Sequence, residues 1–395
     1  MDRIVEFRNA TVVFPDRLES VERFQIHGER IAERLEARPD EVRDLEGRFL
    51  LPGFVDLHVH GGGGADFMDL TPEAFRMVCR THAKHGTTSL TPTSTVANEV
   101  DTARFLGLCR VFRKESTGSA RIVGAHHYGP YFSPEARGCH PTTGFQSPDA
   151  IHVDAFDGFD DSFPLTVTIA PELPNAEALT RACCERGIHV NIGHSFATME
   201  QVEAAIDWGA RHVDHLFCAM SDRARLRQKQ TYPMRAGVME ATLYHNELST
   251  EVIADGKHLN NALLRIAWKF KGPDRLALVT DSMRAVDLPD GEYWFGPEGR
   301  GERIRKRDGV GVTLDGSALA SGVMGLDHCV RTMLKATGAP LHEVVRSASL
   351  TPARILGLDR EIGSLEPRKR ADMLVTDANL NILEIWIDGS PLELP

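Results

Sequence analysis

The chain has 395 residues, of which 42% are apolar and 26% charged, a composition typical of folded globular proteins rather than of disordered, collagenous or membrane chains. Its 45 Lys and Arg residues against 56 Asp and Glu residues give a formal net charge of −11, and this sign opposes the attraction on which nucleic-acid binding depends. The composition therefore argues against nucleic acids and anionic membranes as partners. The composition is compatible with a small-molecule substrate. Such a substrate could be an anion that a local cluster of positive charge binds.

The sequence shows no run of about 18 apolar residues that could span a membrane, and its first residues lack the basic and apolar regions of a signal peptide. Its seven cysteines contain no CxxC pair, which argues against a disulfide framework or a structural cysteine–zinc site. We therefore expect a cytoplasmic protein.

The two ends of the chain have the character of short strands. Predicted strands lie at 4–14, 24–27 and 48–51, and again at 371–376 and 382–387. Because neither set is large enough to close a core alone, we predict a small β-sandwich built from both termini.

Between these segments, predicted strands alternate with helices. Thr71-Pro72-Glu73 is typical of a helix start, and Gly86 is typical of the end of a helix that runs to about His85. The alternation predicts an α/β fold, a TIM-like (β/α)8 barrel, in which catalytic residues lie at the C-terminal ends of the strands. The eight predicted strands are 54–58, 87–90, 121–127, 165–169, 188–192, 212–216, 248–253 and 276–279.

The segment 283–313 is rich in Gly, Asp and Arg and interrupts this alternation, which predicts a β-hairpin or loop insertion. The predicted division of the chain is therefore 1–50 for the N-terminal part of the sandwich, 51–345 for the barrel, and 346–395 for a C-terminal helix and the strands that complete the sandwich.

Several histidines fall where predicted barrel strands end. His58 and His60 close the first strand, and because strand side chains alternate, their imidazoles point to the same side. His194 follows the fifth strand, His215 lies in the sixth, and Asp281 follows the eighth. A lone pair of histidines is weak evidence, but five such residues at one barrel mouth predict a site for a divalent ion. Zn²⁺ is expected, with Fe²⁺ or another divalent ion as the alternative.

Six motifs carry a resemblance to a known family. They are 51–64 (LPGFVDLHVHGGGG), 193–195 (GHS), 215–220 (HLFCAM), 254–258 (ADGKH), 278–281 (LVTD) and the terminal stretch 363–372. Over nearly its whole length the sequence resembles the N-acetylglucosamine-6-phosphate deacetylases of the amidohydrolase superfamily. The resemblance implies a metal-dependent barrel carried on a β-sandwich, cleavage of an N-acetyl amide, and a homodimer, although no surface pattern in the sequence argues for a dimer.

The resemblance also implies roles for individual residues. His194 and His215 match metal ligands, Asp281 matches the catalytic acid and base, and His58 with His60 stand where binuclear members bind a second ion. Residues that match substrate contacts are His140, His258 and Ala219.

One departure concerns the third barrel strand, where the family has a metal-binding Glu and this chain has Tyr128. Because a neutral phenol is a poor ligand that cannot bridge two ions, we predict a single ion, as in the deaminase branch of the superfamily. His215 would then act beside the ion and stabilise the developing oxyanion. The predicted main ligands are His58, His60, His194 and Asp281. His126 shares a face with Tyr128, and we expect both to lie next to the ligands, with ordinary strand packing as the alternative for His126.

A second departure concerns the substrate's phosphate. Cys218 replaces a family Asn, and the segment that follows carries five positive charges against one acidic residue, Asp222. An anion clamp and a solvated loop are equally compatible with this pattern. Arg225 and Arg227 are the nearest positional matches to the family's phosphate-binding Arg. The five charges are Arg223, Arg225, Arg227, Lys229 and Arg235.

The sequence is compatible with three functions. The preferred one is metal-dependent deacetylation of an amino sugar, N-acetylglucosamine-6-phosphate or a related sugar. The alternative, supported by Tyr128 and Cys218, is another hydrolase of the superfamily, a deaminase, lactonase or other amide hydrolase, acting on a polar sugar-like substrate. The third is a sugar-binding protein without metal. Metal content separates the third from the others, and release of acetate rather than ammonia or a new acid separates the first two.

Overall fold

The computed structural model describes residues 3–36 and 38–393. At its centre, parallel pairings join the first strand to the second and connect the third through eighth strands in chain order. Bridges between Thr93 and His126 and between Val59 and Ser282 join the second strand to the third and the eighth to the first. This ring agrees with the predicted (β/α)8 barrel. Its strands are Phe54–Val59, Thr87–Pro92, Ala125–His127, Leu165–Ile169, His189–Ile192, His212–Val213, Ser249–Ile253 and Leu276–Val279.

Helices cover the outside of the ring, and this cover explains why the barrel strands are buried on both faces. The helix Pro72–Lys84 begins and ends close to the predicted positions, because the Thr71 side chain accepts a hydrogen bond from Ala74 N and His85 is the C-terminal cap. The other α-helices are Glu99–Phe112, Ala176–Glu185, Met199–Trp208, Arg223–Leu226, Val238–Tyr244, Asn261–Arg275, Leu326–Thr337, Leu341–Ser347 and Leu350–Ile355. Short 3₁₀ helices span Phe67–Asp69, Pro134–Ala136 and Ala150–Phe156.

Strands from both ends of the chain form a second sheet. Ile4–Val13 pairs with Leu18–His27 on one side and with Glu41–Asp44 and Phe49–Pro52 on the other. Phe49–Pro52 also pairs with Met373–Thr376, which brings the two termini together. This pairing agrees with a β unit built from both termini, although all its strands belong to one hydrogen-bonded sheet and not to two. The remaining strands of this sheet are Arg30–Ile31, Ile382–Ile387 and Ser390–Pro391.

The predicted insertion forms a three-stranded antiparallel sheet of Gly291–Phe295, Glu302–Arg307 and Val310–Thr313. The helix Leu350–Ile355 contacts the first and last barrel strands. The division at residues 50 and 345 stays a prediction. None of the helices in the described ranges has the length and apolar character needed to cross a lipid bilayer.

Candidate active site

A cavity of about 540 Å³ opens at the C-terminal ends of the barrel strands. The residues that line it come from several strand ends, from the segment 134–140 after the third strand, and from the segment after the insertion sheet. Most of the predicted site residues lie on its wall, namely His60, Tyr128, His140, His194, His215, Ala219, Arg225, His258 and Asp281.

The backbone of this wall is strained. His194, Phe217, Ala219, Asp281 and Ser321 all have positive φ angles between 44° and 77°, in the left-handed region that non-glycine residues avoid. Strain of this kind persists only where the surrounding structure imposes it, and it clusters at functional sites. The strained turns direct the side chains at the strand ends toward one volume.

Three of the predicted ligands form a compact group. His58, His60 and Asp281 are buried and place one ligand atom each within 4.8 Å of one another. Asp281 Oδ1 lies 3.3 Å from His60 Nε2 and 3.6 Å from His58 Nε2. The Ser321 hydroxyl donates to the Asp281 backbone oxygen at 2.6 Å and lies 3.2 Å from Oδ1, which orients this carboxylate.

Hydrogen bonds fix which nitrogen of each ligand histidine faces the site. His58 Nδ1 donates to Glu251 Oε1 at 2.6 Å, and His60 Nδ1 lies 3.2 Å from the Thr93 carbonyl oxygen. His58 Nε2 is buried and has no hydrogen-bond partner within the described part of the chain. Because the Nδ1 proton is held by an acceptor in each ring, Nε2 is the nitrogen left to bind a cation.

His194 and His215 lie beside this group and contact each other. Their Nε2 atoms are 3.3 Å apart, and His194 Nδ1 lies 2.7 Å from the Ala136 carbonyl oxygen. The Tyr128 hydroxyl lies 2.5 Å from His215 Nε2. His194 is therefore not part of the compact group of His58, His60 and Asp281, and its role as a ligand stays a prediction.

Burial and charge set the protonation states of these groups. Burial lowers the pKa of His194 well below its usual value, with a further contribution from His215, and burial also lowers the pKa of His215. Burial would lower the pKa of His58 as well, but Glu251 and Asp281 outweigh it and raise that pKa to about 9. Although burial opposes it, the neighbouring His58 and His60 hold the pKa of Asp281 well below its usual range. The site thus offers an ionised carboxylate to a cation.

Tyr128 is held as a neutral phenol. Its side chain is buried, and burial together with nearby carboxylates raises the pKa of Tyr128 well above its usual value. Its ring packs against His58, His126 and His194, with centroid distances of 4.5, 5.0 and 5.3 Å. Tyr128 therefore reaches the centre of the site without supplying the negative charge of a family Glu.

A second group of ionisable residues lies within the barrel. Besides His58, Glu251 contacts His212 Nε2 at 3.4 Å, and Asp214 accepts hydrogen bonds from Thr168 and Asn191 at 2.7 Å each. His212, Asp214 and Glu251 also place ligand atoms within 4.8 Å of one another. His126 joins this group through Thr168, with Nε2 and Oγ1 2.8 Å apart.

Burial raises the pKa of Asp214 to about 7, with the charge of Glu251 as the next cause. Burial would also raise the pKa of Glu251, but His58 and His212 lower it well below its usual value. Glu251 therefore carries the negative charge of this group.

The predicted substrate residues divide into two sets. His140 and His258 are held firmly, since Val96 N donates to His140 Nδ1 at 3.3 Å and His258 Nδ1 lies 2.8 Å from Asp255 Oδ2. Arg225 reaches the cavity wall, whereas Arg227 is exposed and lies outside it.

The cysteines near the cavity are poor nucleophiles. Burial raises the pKa of Cys218 to about 12 and raises that of Cys139 further. A reactive thiolate would need the opposite shift, so neither side chain is suited to covalent catalysis.

Sequence reasoning missed three residues of the site. Glu251 and Asp214 lie within or just after apolar strand segments, and an acidic residue at such a position is the signal that could have revealed them. Arg137 lines the cavity and donates to the His140 carbonyl oxygen at 2.6 Å, but nothing in its surrounding sequence distinguishes it from a surface arginine.

Comparison with known proteins agrees with this geometry. Residues 49–392 match the model of the amidohydrolase family. The chain is 32% identical to an N-acetylgalactosamine-6-phosphate deacetylase of Escherichia coli O157:H7 over 90% of both chains. It is 34% identical to the human N-acetylglucosamine-6-phosphate deacetylase over 89% of this chain and 85% of the relative.

The solved structures give the same result. The D267A mutant of N-acetyl-D-glucosamine-6-phosphate deacetylase from Mycobacterium smegmatis, in complex with N-acetyl-D-glucosamine-6-phosphate, superposes with a TM-score of 0.86 at 29% identity and covers both chains completely. The chain is thus a member of the amidohydrolase family. Within that family, its resemblance to the N-acetylglucosamine-6-phosphate deacetylases, predicted from the motifs, is confirmed.

Proposed function

We propose that this chain is a metal-dependent hydrolase that removes the acetyl group from an N-acetylated amino sugar, N-acetylglucosamine-6-phosphate or a related sugar phosphate. The observation that carries this proposal is the compact group of His58, His60 and Asp281, of which His60 and Asp281 line the 540 Å³ cavity. Similarity to deacetylases over about nine-tenths of the chain supports the same reaction.

The residues at the site fit a divalent ion. The buried, unpartnered His58 Nε2 and the oriented His60 Nε2 converge on the ionised Asp281 carboxylate. Two imidazoles and a carboxylate suit Zn²⁺, with Fe²⁺ or another divalent ion as the alternative. His194 would complete the set as a fourth ligand, and a single ion is proposed because Tyr128 supplies no charge. When bound, such an ion lowers the pKa of a coordinated water and polarises a carbonyl group.

The chain's own residues transfer the proton, stabilise the oxyanion and bind the sugar. Asp281 accepts the proton of the attacking water at its carboxylate and returns it to the leaving amine. The imidazole of His215, which packs beside this group, stabilises the oxyanion that develops on the acetyl carbonyl. His140, His258 and Ala219 hold the sugar against the cavity wall.

A phosphate on the sugar would be met by positive charge at the cavity mouth. Arg225 lines the cavity, and its Nη1 donates to the Met220 carbonyl oxygen at 3.0 Å. A guanidinium has five N–H donors, so this bond leaves donors that a phosphate could engage. We therefore propose Arg225 rather than Arg227 as the phosphate contact. Both relatives described above are named for 6-phosphates of amino sugars.

Product analysis tests the proposed reaction. The purified chain, loaded with Zn²⁺, should release acetate from N-acetylglucosamine-6-phosphate or N-acetylgalactosamine-6-phosphate and should act less well on the sugars without phosphate. Asp281→Asn should lower kcat by roughly 10³-fold or more while Zn²⁺ stays bound, because the proton acceptor is lost. Release of ammonia or of a new acid without acetate would instead identify another hydrolase of the superfamily. A metal-loaded chain that hydrolyses none of these sugars would overturn the proposal.

The proposed function also carries expectations for the enzyme's compartment, partners and oligomeric state. We propose a cytoplasmic enzyme of amino sugar metabolism that acts on a small molecule, binds no nucleic acid or membrane, and forms a homodimer. We also propose that residues 51–345 form the catalytic barrel, with 1–50 and 346–395 forming the supporting unit.

A further inference from the structure

Glu251 is a buried carboxylate whose position in the site is unexplained by the reaction. Only 1% of its side chain is exposed, and it lies in the seventh barrel strand, Ser249–Ile253. Both of its carboxylate oxygens are engaged inside the barrel. Its Oε1 accepts from His58 Nδ1 at 2.6 Å and from the His215 backbone N at 3.2 Å, and its Oε2 lies 3.4 Å from His212 Nε2.

We propose that Glu251 is a positioning residue that holds His58 in place as a ligand of the metal ion. This inference rests on the metal centre of the proposed function. By accepting the Nδ1 proton, Glu251 fixes the tautomer and orientation of His58, so that Nε2 points toward Asp281 and His60. A carboxylate behind a ligand imidazole also makes that imidazole a stronger donor to the ion.

The contacts of the other ligand histidines explain why this effect is specific to His58. His60 and His194 place Nδ1 against the backbone carbonyl oxygens of Thr93 and Ala136, which are neutral acceptors. Among these three histidines, only His58 has a charged acceptor behind it. The Glu251–His58 pair therefore gives His58 the strongest attraction for a cation.

The neighbouring carboxylate Asp214 supplies a contrast. It is as deeply buried as Glu251, but its oxygens accept from the Thr168 hydroxyl and the Asn191 amide, and within the described residues they form no hydrogen bond with the three ligand histidines. Replacing it should therefore change the stability of the barrel without changing the ligand set.

The experiment measures Zn²⁺ affinity by competition with a chelator, using the full chain without substrate. Glu251→Gln keeps the shape of the side chain but removes its charge, and it should lower Zn²⁺ affinity about 10–100-fold, the loss usual for such partners of ligand histidines. Asp214→Asn should bind Zn²⁺ within about twofold of wild type, since it lacks a ligand contact. The absorption spectrum of the Co²⁺-loaded protein should change in Glu251→Gln and stay unchanged in Asp214→Asn.

A double-variant cycle separates positioning from general damage. In a His58→Ala background, Glu251→Gln should cause no further loss of affinity, because its contact with a ligand imidazole has been removed. Wild-type affinity in Glu251→Gln, an equal loss in Asp214→Asn, or the same loss in the His58→Ala background would each overturn the inference. Failure of the wild-type chain to bind Zn²⁺ would instead overturn the proposed function itself.

Discussion

At the scale of single residues, Tyr128 distinguishes this site from the one that the resemblance implies. The phenol stands where the resemblance implies a metal-binding Glu, and its hydroxyl lies 2.5 Å from His215 Nε2. The hydroxyl contacts that nitrogen and restrains the imidazole of His215 beside the ion, but it brings no negative charge to the site. The substitution thus removes an anionic ligand and restrains a neutral one, which favours a single ion near His58.

Restoring the carboxylate tests this interpretation. We expect Tyr128→Glu to raise the Zn²⁺ content from one to two equivalents per chain, because a carboxylate between His194 and His215 would complete a second set of ligands. Metal analysis of the protein after dialysis measures the result. Tyr128→Phe is the matched control and should keep one equivalent, since it removes only the hydroxyl. A Tyr128→Glu protein that still holds a single equivalent would contradict the role assigned to Tyr128.

At the scale of elements, two helices and a loop are joined through one histidine. His85 caps the helix Pro72–Lys84, and its Nδ1 and Nε2 lie 3.0 Å from Asp327 and 2.9 Å from Asp287. Asp327 belongs to the first turn of the helix Leu326–Thr337. A cation at one helix end and an anion at the start of the other both agree with the helix dipoles. His85 therefore holds these helices together while it is protonated.

This bridge should make stability depend on pH in a defined window. Burial alone would lower the pKa of His85, but Asp287 and Asp327 raise it from 6.5 to about 9. Because the folded-state pKa lies above the unfolded value, the stabilisation is complete below about pH 6.5 and is lost as the pH rises through about 9.

Urea unfolding at a series of pH values measures this effect. Wild type should lose on the order of 2 kcal/mol between pH 6.5 and 9.5 relative to His85→Gln, which cannot be protonated. Parallel curves for the two proteins across this range would show that the bridge contributes nothing.

At the scale of the whole molecule, the sequence predicts which strands exist better than how their side chains meet. Apolar strands and helix caps are local patterns, and the alternation of strand side chains places His58 and His60 together without knowledge of the fold. The contact between Glu251 and His58 joins residues 193 positions apart, and it depends on the register of strands around the ring, which no local pattern encodes. For the same reason, no local pattern showed that His194 lies outside the compact group of His58, His60 and Asp281. The single sheet shared by the termini was equally hidden, because strand pairing depends on neighbours from both ends of the chain.

An arginine connects the sheet formed by both termini to the barrel. Arg121 lies in the short strand Arg121–Ile122, which pairs with the second barrel strand, and it contacts both oxygens of Asp372 at 3.1 Å and Asp388 Oδ1 at 2.6 Å. Its side chain is 22% exposed and that of Asp372 only 4% exposed, so this ion pair is shielded from water. Removing one partner of a buried pair leaves the other charge uncompensated, and this outcome is more costly than losing an exposed pair.

Arg121→Ala should therefore lower the free energy of unfolding by about 3 kcal/mol, because Asp372 would remain buried without its partner. Arg17→Ala is the matched control, since Arg17 also contacts two carboxylates, Asp16 and Glu19. Its side chain is 54% exposed, so its loss should leave stability close to wild type.

Urea unfolding followed by both tryptophan fluorescence and circular dichroism measures the change. Trp386 lies in the terminal sheet, so replacing the other three tryptophans by Phe makes the fluorescence report on that sheet, whereas most of the helices surround the barrel. Separate transitions of Arg121→Ala in this background would show that Arg121 couples the two units. An Arg121→Ala protein as stable as Arg17→Ala would show that the sheet and the barrel hold together without this ion pair.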